Sequence, residues 1–537
     1  MSAKYIGVTI GPIHDTISLT SSPAGLWAAS YMFSHISRRL CELIVIVGLV
    51  ESDKDILSPY YSKSDPLLQE RDGIGLFHDR IIFEPKNEQT ALAEIRKLFD
   101  QIVEEIAALF DIKSVYWFNQ YLQLHAICFE SNGNPILDSS KYLDAIELEK
   151  TAPSGENPIT ALFQDSHKND KIRKNFTTKL KLTSVPFPLR KEKDNDGNEF
   201  ERMPQIVEIT GRADEKERPR RKINSYYAIV QSDGDKFGDY IKGCKRRNES
   251  EQDFSRKCLM YCSEAAQAIQ NYGGVTIYAG GDDLLFIAPL ISSKQGGKSF
   301  LYLLEDLRKM FDGRFEDEKP PTLSFGVAIC YHRYPLYEAF DEAYKMLFDQ
   351  AKENRNAVGI SMLKHSGQSI KFVLEDFKSS GVIEQVKELI KQHIEEDILK
   401  SVSKHIWQFQ DLFLKALALF LESNDKKYLE NIFENIFDNE IHSVKKGNIE
   451  SVFELLVDIT QLCADSESKK NPIVREIVMS KKLENEKRVR KEEGLKEDVR
   501  TKTYDREIKI LYALDALLRF VKFWGEKGDE DDAEVSD

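Results

Sequence analysis

The sequence predicts an α+β protein, with two ferredoxin-like domains followed by an all-helical C-terminal domain. Three observations lead there. Strand-length apolar runs alternate with stretches of helical period in the order βαββαβ, the split βαβ arrangement. The same order of elements returns from Tyr226 onward. Beyond residue 369 nearly every segment has the spacing of an amphipathic helix.

Size and composition support this division. At 537 residues the chain is longer than one hydrophobic core usually grows, so three or four domains are expected. No apolar run approaches the roughly 20 residues of a membrane span. The N-terminus, MSAKYIGVTIGP, has no basic n-region, h-region or cleavage site, which predicts a cytoplasmic protein without a membrane partner. The seven cysteines form no CxxC pair. Cys258 and Cys262 could share a helix face but read as buried thiols, so no zinc is expected. A net charge of −14 argues against a globally basic nucleic-acid binder.

The first domain, 1–150, opens with the strand YIGVTIGP and the helix SPAGLWAASYMFSHISRRLCELI. IVIVGLV reads as a buried strand and GIGLFHDRIIFE as two short strand pieces. ALAEIRKLFDQIVEEIAALF reads as a helix, with VYWF and LQLHAICFE as further strands. Residues 151–222 turn polar and Pro/Gly-broken, which predicts a linker or small irregular subdomain; its basic run ERPRRK reads as solvated. The second domain, 223–368, runs from the strand YYAIVQSDGD through a helix from about Phe254 to Tyr272 to the hairpin VTIYAGGDDLLFIAP. The helix SFLYLLEDLRKMF, the strand LSFGVAICY and the helix LYEAFDEAYKMLFDQAKENR complete it. Residues 369–525 form the helical domain, and 526–537 an acidic tail expected to be disordered.

The chemistry centres on the second hairpin. Gly280 and Gly281 lie between two apolar runs, where glycine supplies the positive φ of a tight turn. Asp282 and Asp283 follow at once. A lone Gly-Asp pair usually marks only a turn, but Asp233 and Asp235, in QSDGDKFG, end the strand that opens the same domain. In a ferredoxin-like sheet the first strand neighbours the central hairpin, so Asp233 can converge with Asp282 and Asp283. Converging carboxylates resist ionising together unless a cation sits among them. Hard oxygen ligands suit Mg²⁺ or Mn²⁺, which points to metal-assisted phosphoryl or nucleotidyl transfer. Gly234 and Gly238 leave the backbone free to approach a triphosphate.

AGGDDLLF, SDGDKFG, LSFGVAICYHRYPLYEAFDEAYKMLFDQAKE and the N-terminal IGPIHDTISLTSSPAGLWAASYMFS occur in an order that resembles the large polymerase-like subunit of type III CRISPR effector complexes, the Cas ten family, and most of all its Cmr branch. The resemblance implies two palm domains, nucleotide cyclase-like in fold, of which the second converts ATP into a second messenger, usually a cyclic oligoadenylate, when the complex binds target RNA. It implies guide RNA, target RNA and other complex subunits as partners, with most of the RNA held by those subunits. Asp233, Asp282 and Asp283 would hold two metal ions while a 3′-hydroxyl of one ATP attacks the α-phosphate of another, with Asp235 as a supporting ligand or a turn residue. Lys352 matches a basic position facing the triphosphate, Ser30 a position contacting adenine, and Ser263 a weaker counterpart in the second palm. The sequence departs from the family pattern in two respects: it leaves no room for an HD nuclease domain before the first palm, and the cysteine-rich zinc insert is missing. The pairs His14-Asp15 and His78-Asp79 lack further ligands at helical spacing, so no DNase activity is expected. Other readings are a palm that joins ATP to an adenosine-bearing acceptor such as S-adenosylmethionine, a GTP-using GGDEF-like cyclase, disfavoured by Leu284 and the duplicated palm, and a non-catalytic scaffold, disfavoured by the gathered acids.

Overall fold

In the computed structural model, which describes residues 3–69, 73–112, 115–148, 159, 163, 166–182, 185–187, 189–193, 199–210, 221–375, 382–391, 396–441, 457, 460, 474–492 and 504–526, the N-terminal run forms strand β1 (Ala3–Gly11). The helix Pro23–Val47 follows, started by Ser22, whose side chain accepts from Gly25 N, and stopped by Gly48 at φ 77°. Strands β2 (Ile56–Ser58) and β3 (Arg80–Phe83), the helix Glu88–Leu109 and strand β4 (Gln123–Ser131) complete the domain. Its antiparallel sheet has the order β2-β3-β1-β4, the ferredoxin-like order that βαββαβ predicts.

Three short readings fail. Ile44–Val47 are the last turn of a helix and not a strand. Leu40, Leu43 and Ile44 keep the buried helical stripe going until Gly48 ends it, while Ile46 is 61% exposed. VYWF belongs to the helix Tyr116–Tyr121, which buries Phe118 and Tyr121 three positions apart. The first half of GIGLFHDRIIFE is irregular, and only Arg80–Phe83 pairs as a strand. In the connecting region strands β5 (Arg190–Lys193) and β6 (Glu199–Arg202) form an antiparallel hairpin, and Ser166–Lys179 is a helix.

The second sheet comprises β7 (Tyr226–Asp235), β8 (Val275–Gly280), β9 (Asp283–Pro289), β10 (Thr322–Tyr331), β11 (Val358–Leu363), β12 (Ser369–Leu374) and β13 (Val474–Glu476). Its order is β13-β12-β11-β10-β7-β9-β8, so β10-β7-β9-β8 repeats the first sheet's arrangement. The helix Glu251–Tyr272, with a Ser250/Asp253 capping box, connects β7 to β8, and Phe300–Arg314 connects β9 to β10. The helical reading from residue 369 meets two exceptions, β12 and β13, because SIKFVL pairs along its whole length with β11. Elsewhere helices dominate: Val382–Lys391, Glu396–Gln408, Gln410–Ser423, Lys427–Ile441, Val478–Glu492 and Asp505–Gly525. The last of these buries Ile508, Leu511, Leu514 and Leu518.

The chain divides into two compact units, Met1–Thr210 with Ile229–Leu323 and Arg333–Asp341, and Gly211–Ala228 with Ser324–His332 and Glu342–Asp537. No helix among the described residues is long and apolar enough to cross a membrane. Residues 527–537 of the acidic tail, residues 217–220 of the basic run and Cys463 lie outside the described residues.

Candidate active site

The β8–β9 hairpin closes through the pair Gly280–Asp283, leaving a two-residue loop of Gly281 and Asp282. Gly281 has φ 70°, the left-handed value that a type II′ hairpin requires at its first loop position. The thiol of Cys262, on the helix Glu251–Tyr272, donates to the Gly281 carbonyl at 3.4 Å and props the turn from below. Because β7 lies beside β9 in the sheet, its end reaches this loop. Carboxylate oxygens of Asp233, Asp282 and Asp283 all lie within 4.8 Å of one another, with Asp233 and Asp282 partly buried and Asp283 exposed.

Gly234 makes this convergence possible. A β-carbon at that position would stand 2.6 Å from Asp282 Oδ2 and 3.0 Å from Asp282 Cβ, so any side chain there pushes the carboxylate away. Gly280 is constrained by Tyr278, whose Cζ would lie 2.7 Å from an added β-carbon. Gly238 has only Leu137 Cδ2 at 3.7 Å, an ordinary contact. Asp235 stands apart from the three acids: it is 1% exposed and accepts a hydrogen bond from Thr322 Oγ1 at 2.9 Å. Ser30 is buried in the helix Pro23–Val47, with its hydroxyl 3.7 Å from where a β-carbon on Gly75 would be. Ser263 is partly buried on the helix Glu251–Tyr272, and Lys352 partly buried where a π-helical turn, Met346–Ala351, ends.

A cavity of about 410 Å³ opens beside the acids, within one compact unit. One wall is the Gly280–Asp283 turn with Cys258; the facing wall comes from the first domain and includes Ser58, His78, Asp79, Arg80 and Glu147. Arg80 is clamped by Glu147 through bonds of 3.0 and 2.6 Å and pairs with Asp144 at 2.7 Å. Burial, reinforced by Arg80, pushes the His78 imidazole down to about 4. Burial, then the Glu147 charge, pushes the Asp79 carboxyl up to about 6. The thiols of Cys258 and Cys262 are pushed well up by burial and then by Asp282.

Residues 226–359 match the Cas10/Cmr2 family at its second palm domain. This stretch of the chain is thus similar to a Cas10/Cmr2 second palm. The CRISPR system Cmr subunit Cmr2 of Pyrococcus furiosus is 29% identical over 171 residues, which cover 26% of this chain and 19% of that protein. Two solved structures share the fold. The apo state of a type III-B Cmr-beta complex matches with TM-score 0.52 and 10% identity, covering 81% of this chain and 77% of that one. The apo Csm1–Csm4 cassette matches with TM-score 0.51 and 14% identity, covering 98% of this chain and 70% of that one.

In this Cas10/Cmr2-like palm the gathered acids fit a metal centre. Three carboxylates from two adjoining elements supply hard oxygen ligands at distances a shared cation can bridge. The sequence signal for them was local: glycines at a hairpin and acids at a strand end. Nothing comparable marked the first-domain wall. His78 and Asp79 look like half of a metal motif in the sequence, and their place in the cavity depends on folding contacts between residues some 200 positions apart.

Proposed function

We propose that this chain is the catalytic large subunit of a type III CRISPR effector complex and joins ATP molecules into a second messenger, a cyclic oligoadenylate, when the complex binds target RNA. The observation that carries the reading is the convergence of Asp233, Asp282 and Asp283 in a stretch similar to the Cas10/Cmr2 second palm, beside a cavity that Asp282 and Asp283 line.

In this reading the three acids hold two Mg²⁺ or Mn²⁺ ions. Such ions, when bound, neutralise phosphate charge and make a hydroxyl a better nucleophile at neutral pH. The chain's own contribution is placement. Gly234 clears room for the Asp282 carboxylate, Gly281 lets the turn close tightly, and Cys262 holds the turn's carbonyl. Asp235 fixes the end of β7 through Thr322, which keeps Asp233 aimed at the hairpin. The cavity's volume lies in the range of nucleotide-sized ligand sites.

The test is mass spectrometry of products from the chain assembled with guide RNA and its partner subunits, given target RNA, Mn²⁺ and ATP or GTP. Oligoadenylates that vanish in Asp282→Asn/Asp283→Asn support the reading. A product containing guanine, or an unchanged product from the double variant, overturns it. An adduct of ATP with another adenosine compound keeps the site and changes the acceptor.

A further inference from the structure

The cavity's first-domain wall is unsuited to phosphate. Arg80 is the sole cationic side chain among its described lining residues, and Glu147 and Asp144 already engage it. Asp79 and Glu147 add negative charge to that wall. The phosphates of a nucleotide therefore belong on the metal-binding side, and the first-domain wall faces the uncharged remainder of the ligand.

His78 is the group on that wall equipped to read it. Its Nε2 lies 3.0 Å from Ser58 Oγ, while among the described residues no protein group bonds Nδ1. The ring edge reaches the glycine turn, with Cδ2 3.9 Å from where a β-carbon on Gly281 would be. The segment carrying it is tied down at several points. Trp27 Nε1 donates to Gly73 O at 2.7 Å, Phe77 N to Ser34 Oγ at 2.8 Å, and Ser37 Oγ to His78 O at 2.7 Å. Across to the second palm, Ala279 N donates to Gly75 O at 3.2 Å. An imidazole so anchored has one ring nitrogen taken and one left to offer.

We propose that His78 is a specificity residue whose Nδ1 hydrogen-bonds the sugar or base of a ribonucleoside triphosphate whose phosphates rest on the acidic side. The proposal rests on the ATP reading above and adds a division of labour between the two walls. Because the imidazole stays neutral near pH 7, it recognises without attracting a second phosphate chain.

Isothermal titration of the full chain in Mn²⁺, with ATP and with inorganic tripolyphosphate, tests this. Wild type is expected to bind ATP more tightly than tripolyphosphate. His78→Ala is expected to weaken ATP by about tenfold, one hydrogen bond's worth, and leave tripolyphosphate unchanged. His78→Asn, which keeps a polar group near Nδ1, is expected to retain much of the ATP preference and serves as the control for folding. The proposal is overturned if His78→Ala binds ATP like wild type, if it loses both ligands equally while His78→Asn does the same, or if wild type shows no preference for ATP. Asp282→Asn/Asp283→Asn separates the two claims. Should that variant keep wild-type tripolyphosphate binding, the metal-site reading fails, while the His78 comparison still stands on the ATP preference.

Discussion

An alanine at position 234 would set a methyl group 2.6 Å from Asp282 Oδ2 and 3.0 Å from both Asp282 Cβ and Phe237 Cδ2, so the Asp282 side chain has to shift from its place beside Asp233. Gly234→Ala is therefore expected to cut metal-dependent turnover by about a hundredfold, as small misplacements of a reacting group do. Gly238→Ala, which meets only Leu137 Cδ2 at 3.7 Å, should stay near wild type. Parallel turnover assays of the two variants check this, and equal effects would show that the close approach to Asp282 does not matter. Asp79 gives a second prediction at this scale. Its folded value of about 6 lies above the ordinary 3.8, so the fold binds its proton more tightly than the unfolded chain does. The stability this contributes is present below about pH 4 and is lost as pH rises through 6, leaving a partly buried charge at pH 8. Asp79→Asn should therefore raise the melting temperature relative to wild type at pH 8 by more than at pH 5. Glycines 280 and 281 and the acids after them were legible in the sequence because turn chemistry is local. The particular need for glycine at 234 was not, since it comes from a side chain about fifty positions away.

At the scale of elements, the outer edge of β8 is covered by one first-domain segment and one from the connecting region, with Ala279 N donating to Gly75 O and Thr276 N to Pro186 O. An edge strand that carries the acid turn is thus held in register and shielded from other strands. Ser34 secures one of those segments by accepting from Phe77 N at 2.8 Å. Ser34→Ala strands a buried backbone donor, and urea unfolding should show a loss of about 1–2 kcal/mol. No change in the unfolding midpoint would mean that the segment is held by its other ties alone. The strands and helices of the second palm were readable because the hydrophobic period switches cleanly between about 2 and 3.6 there. IVIVGLV was misread because a short β-branched run has the same appearance in a strand and at the end of a buried helix. SIKFVL was lost inside a helical stretch because its strand character depends on the β11 partner it meets.

Over the whole molecule, two ferredoxin-like arrangements share one sheet order, yet among the described residues only the second gathers acids, and the described wall that the first supplies has its one cation, Arg80, already paired. The duplication was visible as a repeated order of elements. The cavity formed within one compact unit was not, because no local pattern encodes which faces of two domains meet. A ligand that binds only the folded chain raises its melting temperature, by about 2.7 kcal/mol of stability at a hundred times Kd. The most direct measurement is accordingly the thermal shift of the full chain with Mn²⁺ and ATP beside the Asp282→Asn/Asp283→Asn variant. The account predicts a clear rise for wild type with ATP, little with GTP, and none for the variant; an equal rise in the variant, or none in wild type, would contradict it.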